Sequence, residues 1–94
     1  MTAAERREIL KVDLQLTTTA FDKYLDHLLQ AAEERIAREG IKLTQSAEDE
    51  QLRIMYAAWL YRKRASEDTT MPRMLRFALN NRLVSQKGAL NNVT

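Results

Sequence analysis

Cysteine is absent from this chain, histidine and proline occur once each, and glycine occurs only twice. Without cysteine there is no disulfide framework, no thiolate metal site and no cysteine nucleophile, which suits a reducing compartment. Two isolated glycines, Gly40 and Gly88, cannot build a loop that cradles phosphate. His27 stands alone between Asp26 and Leu28, so a structural zinc site would have to be completed by carboxylates only, against normal practice. The serines have no candidate base other than that one histidine. Asp22 and Asp26 sit one helical turn apart, as paired carboxylates would. Lys23 lies beside them, and Glu34 is spaced to pair with Arg38 at i, i+4, so they read as a solvated helix face. The expectation is a chain that is not an enzyme and has no catalytic, cofactor or metal site. Long hydrophobic runs are missing too, so no membrane partner is expected. The opening Met1-Thr2-Ala3-Ala4-Glu5-Arg6-Arg7-Glu8 is too acidic for a signal peptide. These features predict a soluble protein made in a cytoplasm.

What remains is a chain of 94 residues, enough for one domain with one modest core, which oligomerisation would usefully supplement. Charge is unevenly spread. Residues 1–50 hold seven Lys and Arg against eleven Asp and Glu, a balance of −4, and residues 51–94 hold eight against two, a balance of +6. Two readings are open: ordinary solvated helix faces, or an acidic face on one copy meeting a basic face on the next in a head-to-tail ring.

Apolar residues recur at helical spacing, and no alternating pattern competes, so the fold class is all-α, a compact bundle of about four helices. A short first helix spans about Glu5 to Lys11, with Val12, Leu14 and Leu16 in a loop or extended stretch after it. Thr17-Thr18-Thr19 supplies the next N-cap, with Thr19 and Asp22 at capping-box spacing. The second helix carries the stripe Phe21, Tyr24, Leu25, Leu28, Leu29, Ala32 and Ile36, and ends at Gly40, where glycine tolerates the left-handed conformation. Ile41 and Leu43 fold back onto the core. Ser46 caps a third helix from about Ala47 to Ala65, with Glu48, Asp49 and Glu50 suiting its positive pole. Its middle is apolar nearly all round, which makes it the central helix.

Pro72 opens a fourth helix with the stripe Met71, Met74, Leu75, Ala78, Leu79 and Leu83. Residues 1–84 form the domain, and residues 85–94 form a flexible tail with Leu90 and Val93 as anchors. The core is expected to comprise Leu25, Leu28, Leu29, Met55, Tyr56, Trp59, Leu60, Leu75 and Leu79.

Tyr56, Trp59 and Tyr61 precede Arg62-Lys63-Arg64, an arrangement that invites a nucleic-acid reading. Tyr56 and Trp59 share the apolar stripe, however, which leaves only Tyr61 and the basic cluster for a partner. The loop before Pro72 is also longer than a helix-turn-helix allows. Arg73, Arg76 and Arg82 with Asn80 and Asn81 still offer a basic polar face, so a small DNA-binding regulator is the alternative reading.

Four pieces in order carry a family resemblance: Leu10-Lys11-Val12-Asp13; Tyr24-Leu25, Leu28-Leu29 and Ala31-Ala32-Glu33 with Ile36; Met55-Tyr56-Ala57-Ala58-Trp59-Leu60-Tyr61 with Arg64; and Met71-Pro72 opening the last helix. Over residues 8–84 the chain resembles the small head-tail connector proteins of tailed phages and prophages. Thr17-Thr18-Thr19 departs from the acidic residues found there in many members. The resemblance implies a virion protein at the head-tail junction, whose copies form a dodecameric ring beneath the portal protein. DNA passes through that ring without sequence-specific recognition, and a tail completion protein binds its other face. The basic half points to Arg62, Lys63, Arg64, Arg73, Arg76 and Arg82 as the surface for neighbouring copies or portal, and the resemblance adds the terminal segment with Leu90 and Val93.

Overall fold

The structure, a computed structural model, describes residues 1–93, with side chains as far as Gly88. Four helices follow one another, α1 (Ala3–Leu14), α2 (Asp22–Arg38), α3 (Ala47–Lys63) and α4 (Arg73–Val93), with no strand among the described residues. The all-α bundle expected from the spacing is therefore what the chain forms. None of the helices is long and apolar enough to cross a membrane, among the described residues.

α1 is longer than periodicity suggested at both ends. Its start is a complete capping box: Thr2 Oγ1 accepts from the Glu5 amide, and Glu5 Oε1 accepts from the Thr2 amide, each at 3.1 Å. At the other end Val12 and Leu14 stay helical, and Gln15 takes a left-handed conformation (φ 58°) that stops the helix. The expected Thr19–Asp22 capping box is not formed. α2 starts at Asp22 after an uncapped Phe21, and the threonines close a turn in which Thr18 Oγ1 accepts from the Ala20 amide. The Asp22 carboxylate instead faces Lys11 Nζ at 2.9 Å, because a buried ammonium needs a counter-ion more than an exposed amide needs a cap.

Gly40 terminates α2 with φ +95°, as expected. Ser46 caps α3, its Oγ accepting from the Asp49 amide. α3 ends at Lys63, two residues earlier than predicted, and it is the central helix: α1, α2 and α4 all pack on it. Its buried residues Leu52, Ile54, Tyr56, Ala57, Ala58 and Leu60 meet Leu10 of α1, Leu25, Leu28, Leu29, Ala32 and Ile36 of α2, and Leu75 and Leu79 of α4 in one core. Two expected core members differ. Met55 and Trp59 pack against this core but are only partly buried, since they lie on the side of α3 that opens toward the loop before α4.

α4 continues past the expected boundary at residue 84. Gln86 anchors it there, accepting from the Lys42 amide at 2.9 Å and donating to the Lys42 carbonyl at 2.7 Å. The expected tail anchors Leu90 and Val93 lie outside the residues whose side chains are described. Met74, placed by its spacing on the core stripe, is 74% exposed; Leu75, Leu79 and Leu83 carry the inward face.

Candidate functional site

The charged residues that might have formed a site mostly pair with one another inside the subunit. Asp49 is fully buried at the start of α3. Its Oδ1 accepts from Arg82 Nε at 2.7 Å, and its Oδ2 accepts from the Thr44 amide and hydroxyl, each at 2.7 Å. Burial pushes this carboxyl up, but the bonds from Arg82 and Thr44 together outweigh it and hold it below the usual range. Next to it, Glu50 is shared between two helices' guanidinium groups. Arg6 of α1 donates to it at 2.7 and 2.9 Å, and Arg53 of α3 donates at 2.9 Å. The Arg6 hydrogen bond, with the nearby charges of Arg53 and Arg6, lowers the Glu50 carboxyl against the opposing effect of burial. Arg53 also donates to Glu33 and to the Thr44 carbonyl, so α1, α2 and α3 converge on one cluster.

The sequence placed Asp49 and Glu50 at the positive pole of α3, where they stand; that both are buried in ion pairs with other elements it did not show. Asp22 and Asp26, read as a solvated helix face, are a correction: both are half-buried against α1, where Arg7 reaches Asp26 at 3.0 Å and Lys11 reaches Asp22. The expected Glu34–Arg38 pair is not formed, and His27 is exposed. The carboxylates of these clusters serve as counter-ions to Arg6, Arg7, Lys11, Arg53 and Arg82. No three His, Asp or Glu side chains converge as a metal would require, among the described residues.

Most of the basic residues predicted as an interface have a partner within the subunit. Arg62 pairs with Asp13 of α1 at 3.3 Å. Lys63 Nζ lies 4.5 Å from the Trp59 ring, and Arg64 lies over Tyr61, Tyr24 and Phe21 at 4.3, 5.3 and 5.6 Å. Arg76 is bound to Glu39 at 2.7 Å and Arg82 to Asp49. Of the three arginines on α4, only Arg73 has no ion pair among the described residues. Arg76 and Arg82 are drawn to carboxylates on different elements, while Arg73, Asn80 and Asn81 of α4 stay exposed.

A cleft of about 400 Å³ lies between the end of α3, residues 64–72 and the start of α4, walled by Met55, Trp59, Pro72, Met74 and Leu75. Its polar rim is already engaged: Arg62 by Asp13, Lys63 by the Trp59 ring, and Asp68 by the Thr70 amide. The Trp59 indole N–H is buried without a partner. Replacing Trp59 with alanine is therefore expected to cost about 2 kcal/mol, short of the ~3–5 kcal/mol for emptying a fully enclosed aromatic site. Thermal or urea unfolding measures it directly, and a loss at the upper figure would make Trp59 a true core residue.

The structure also leaves large apolar side chains outside. Val12 is 78% exposed and Ile9 is 42% exposed on α1, and on α4 Met74, Phe77 and Val84 are 74%, 56% and 68% exposed. Glu5 and Glu8 accompany the first pair; Arg73 and Lys87 accompany the second group, and α4 has no Asp or Glu anywhere in its length. Periodicity did not find these faces: it set Val12 in a loop or extended stretch, placed Met74 on the core stripe and left Phe77 and Val84 off that stripe without a role. Comparison of this chain with protein-family models, with curated proteins and with solved structures finds no match.

Proposed function

We propose that this chain is a structural assembly subunit without catalytic activity, of the head-tail connector kind that its sequence resembles. Copies form a ring, dodecameric in the virion, beneath the portal protein. The ring closes the DNA-filled head and presents a platform to the tail completion protein, and DNA threads it without being read. The observation that carries the assembly reading is the division of labour among side chains: most interior ionic groups are used in internal pairs, while large apolar groups remain on the outer faces of α1 and α4. Contiguous apolar surface, rather than a single exposed side chain, marks a protein contact, and Met74, Phe77 and Val84 recur along one face of α4. The connector assignment itself rests on the ordered motifs from Leu10 to Pro72.

Negative-stain imaging of the purified protein, alone and mixed with the portal protein of the same genome, tests the proposal. Rings that seat on the portal are expected. Duplex DNA binding by a dimer, weakening steeply with salt, would instead establish the regulator reading.

A further inference from the structure

The two exposed apolar faces have a seam-like geometry. On α4, Met74, Phe77, Asn81 and Val84 follow the three-four-three spacing of a coiled-coil seam, and Arg73, Asn80 and Lys87 run along one flank at seven-residue intervals. All these residues are exposed. On α1, Glu5, Ile9 and Val12 follow the same rule at four-three spacing, with Glu8 on the flank, and all four are exposed.

Charge decides which seams pair. Two α4 seams brought together would set Arg73 and Lys87 against their own kind, with no carboxylate on either helix to offset them. Two α1 seams would set Glu5 and Glu8 against theirs. An α1 seam on the α4 seam of another copy sets acid against base beside an apolar strip of Ile9 and Val12 against Met74, Phe77 and Val84, and like charges are kept apart. We propose that the partner of each exposed face is a second copy of this chain, with α1 of one copy packing on α4 of the next.

Because the two surfaces differ, the contact is heterologous: each copy uses one face as donor and keeps the other open, so association continues until a ring closes or a filament grows. The apolar strip supplies most of the affinity and the flanking charges supply direction, since exposed ion pairs are individually weak. This inference rests on the assembly reading above and adds to it the surfaces and their polarity.

Mixing two variants tests it. Val12→Asp spoils the α1 seam and Phe77→Asp spoils the α4 seam, and both side chains are exposed, so circular dichroism should report an intact helical fold for each. The full-length wild-type protein is expected to form species larger than a dimer in sedimentation velocity, and each variant alone is expected to run as the 10.9 kDa monomer. An equimolar mixture is expected to give a dimer of twice that mass and nothing larger, because the intact α4 of one variant meets the intact α1 of the other. A monomeric wild type, a mixture that stays monomeric, or Val12→Asp assembling like wild type would each overturn the proposal. In the last case an α4–α4 contact would be responsible, and assembly itself would stand. Portal binding is read separately, so the pairing can fail while the connector reading survives, and the reverse.

Discussion

Asp49→Ala is expected to destabilise the protein by about 3–5 kcal/mol, the usual consequence of removing one partner from a buried ion pair. The loss has several parts. Arg82 loses the acceptor for its Nε and Nη2, and the Thr44 amide and hydroxyl lose theirs. A small domain has little stability to spare, so such a loss would leave a large unfolded fraction at ordinary temperatures. Asp49→Asn is expected to be nearly as harmful despite its matching shape. One carboxylate oxygen accepts from Thr44 twice and from Arg82, and an amide NH2 there would point donors at donors, whereas the reversed amide would do the same to Arg82 Nε. Urea unfolding of both variants is the measurement, and an asparagine variant as stable as wild type would mean that the interaction is merely geometric.

Glu50→Ala is expected to cost about 3 kcal/mol, the lower end of the range for a broken buried pair, because Arg6 and Arg53 lose their shared acceptor but keep Glu33 nearby, and Arg53 keeps the Thr44 carbonyl. The same carboxylates govern acid sensitivity. Asp49 and Glu50 are both held below their ordinary values in the folded protein, so the folded state binds fewer protons than the unfolded chain as the pH drops. Their stabilising contribution is complete above the unfolded values, near pH 4, and is lost as the pH falls through the depressed folded values. Stability should therefore be flat with respect to these groups at neutral pH and fall in strong acid. Glu50→Ala should fall less steeply there, since one of the groups responsible is gone. A pH series of urea midpoints for wild type and variant gives the comparison.

The helices were legible because burial on one side leaves a periodic trace: Leu25, Leu28, Leu29, Ala32 and Ile36 are all buried where the pattern put them. Gly40 and Ser46 were legible because each has a local job, a left-handed turn and a cap. The first helix was read too short although its signal was present: Thr2 and Glu5 stand at capping-box spacing, before any apolar residue that would draw notice. The ionic cluster could not be read, because its members come from opposite ends of the chain. Arg6 lies 44 positions from Glu50, and Arg82 lies 33 from Asp49. Only folding brings them together, and from local context an acidic first turn looks solvated. Met74 misled for the opposite reason: methionine on a helical stripe looks like core, and only the rotation of α4 set by Leu75, Leu79 and Leu83 shows that it faces outward.

Asp49 also bears on how the chain comes off the ribosome. Its amide is held by the Ser46 cap while its side chain waits for Arg82, so the first turn of α3 and the docking of α4 meet in a single residue. During synthesis the amino-terminal helices emerge long before Arg82 does. Until then a carboxylate destined for complete burial has no cation to accompany it and stays hydrated at the start of α3. The first three helices share apolar contacts that do not involve Arg82, so they can associate beforehand, and the docking of α4 brings the cation that lets Asp49 leave water.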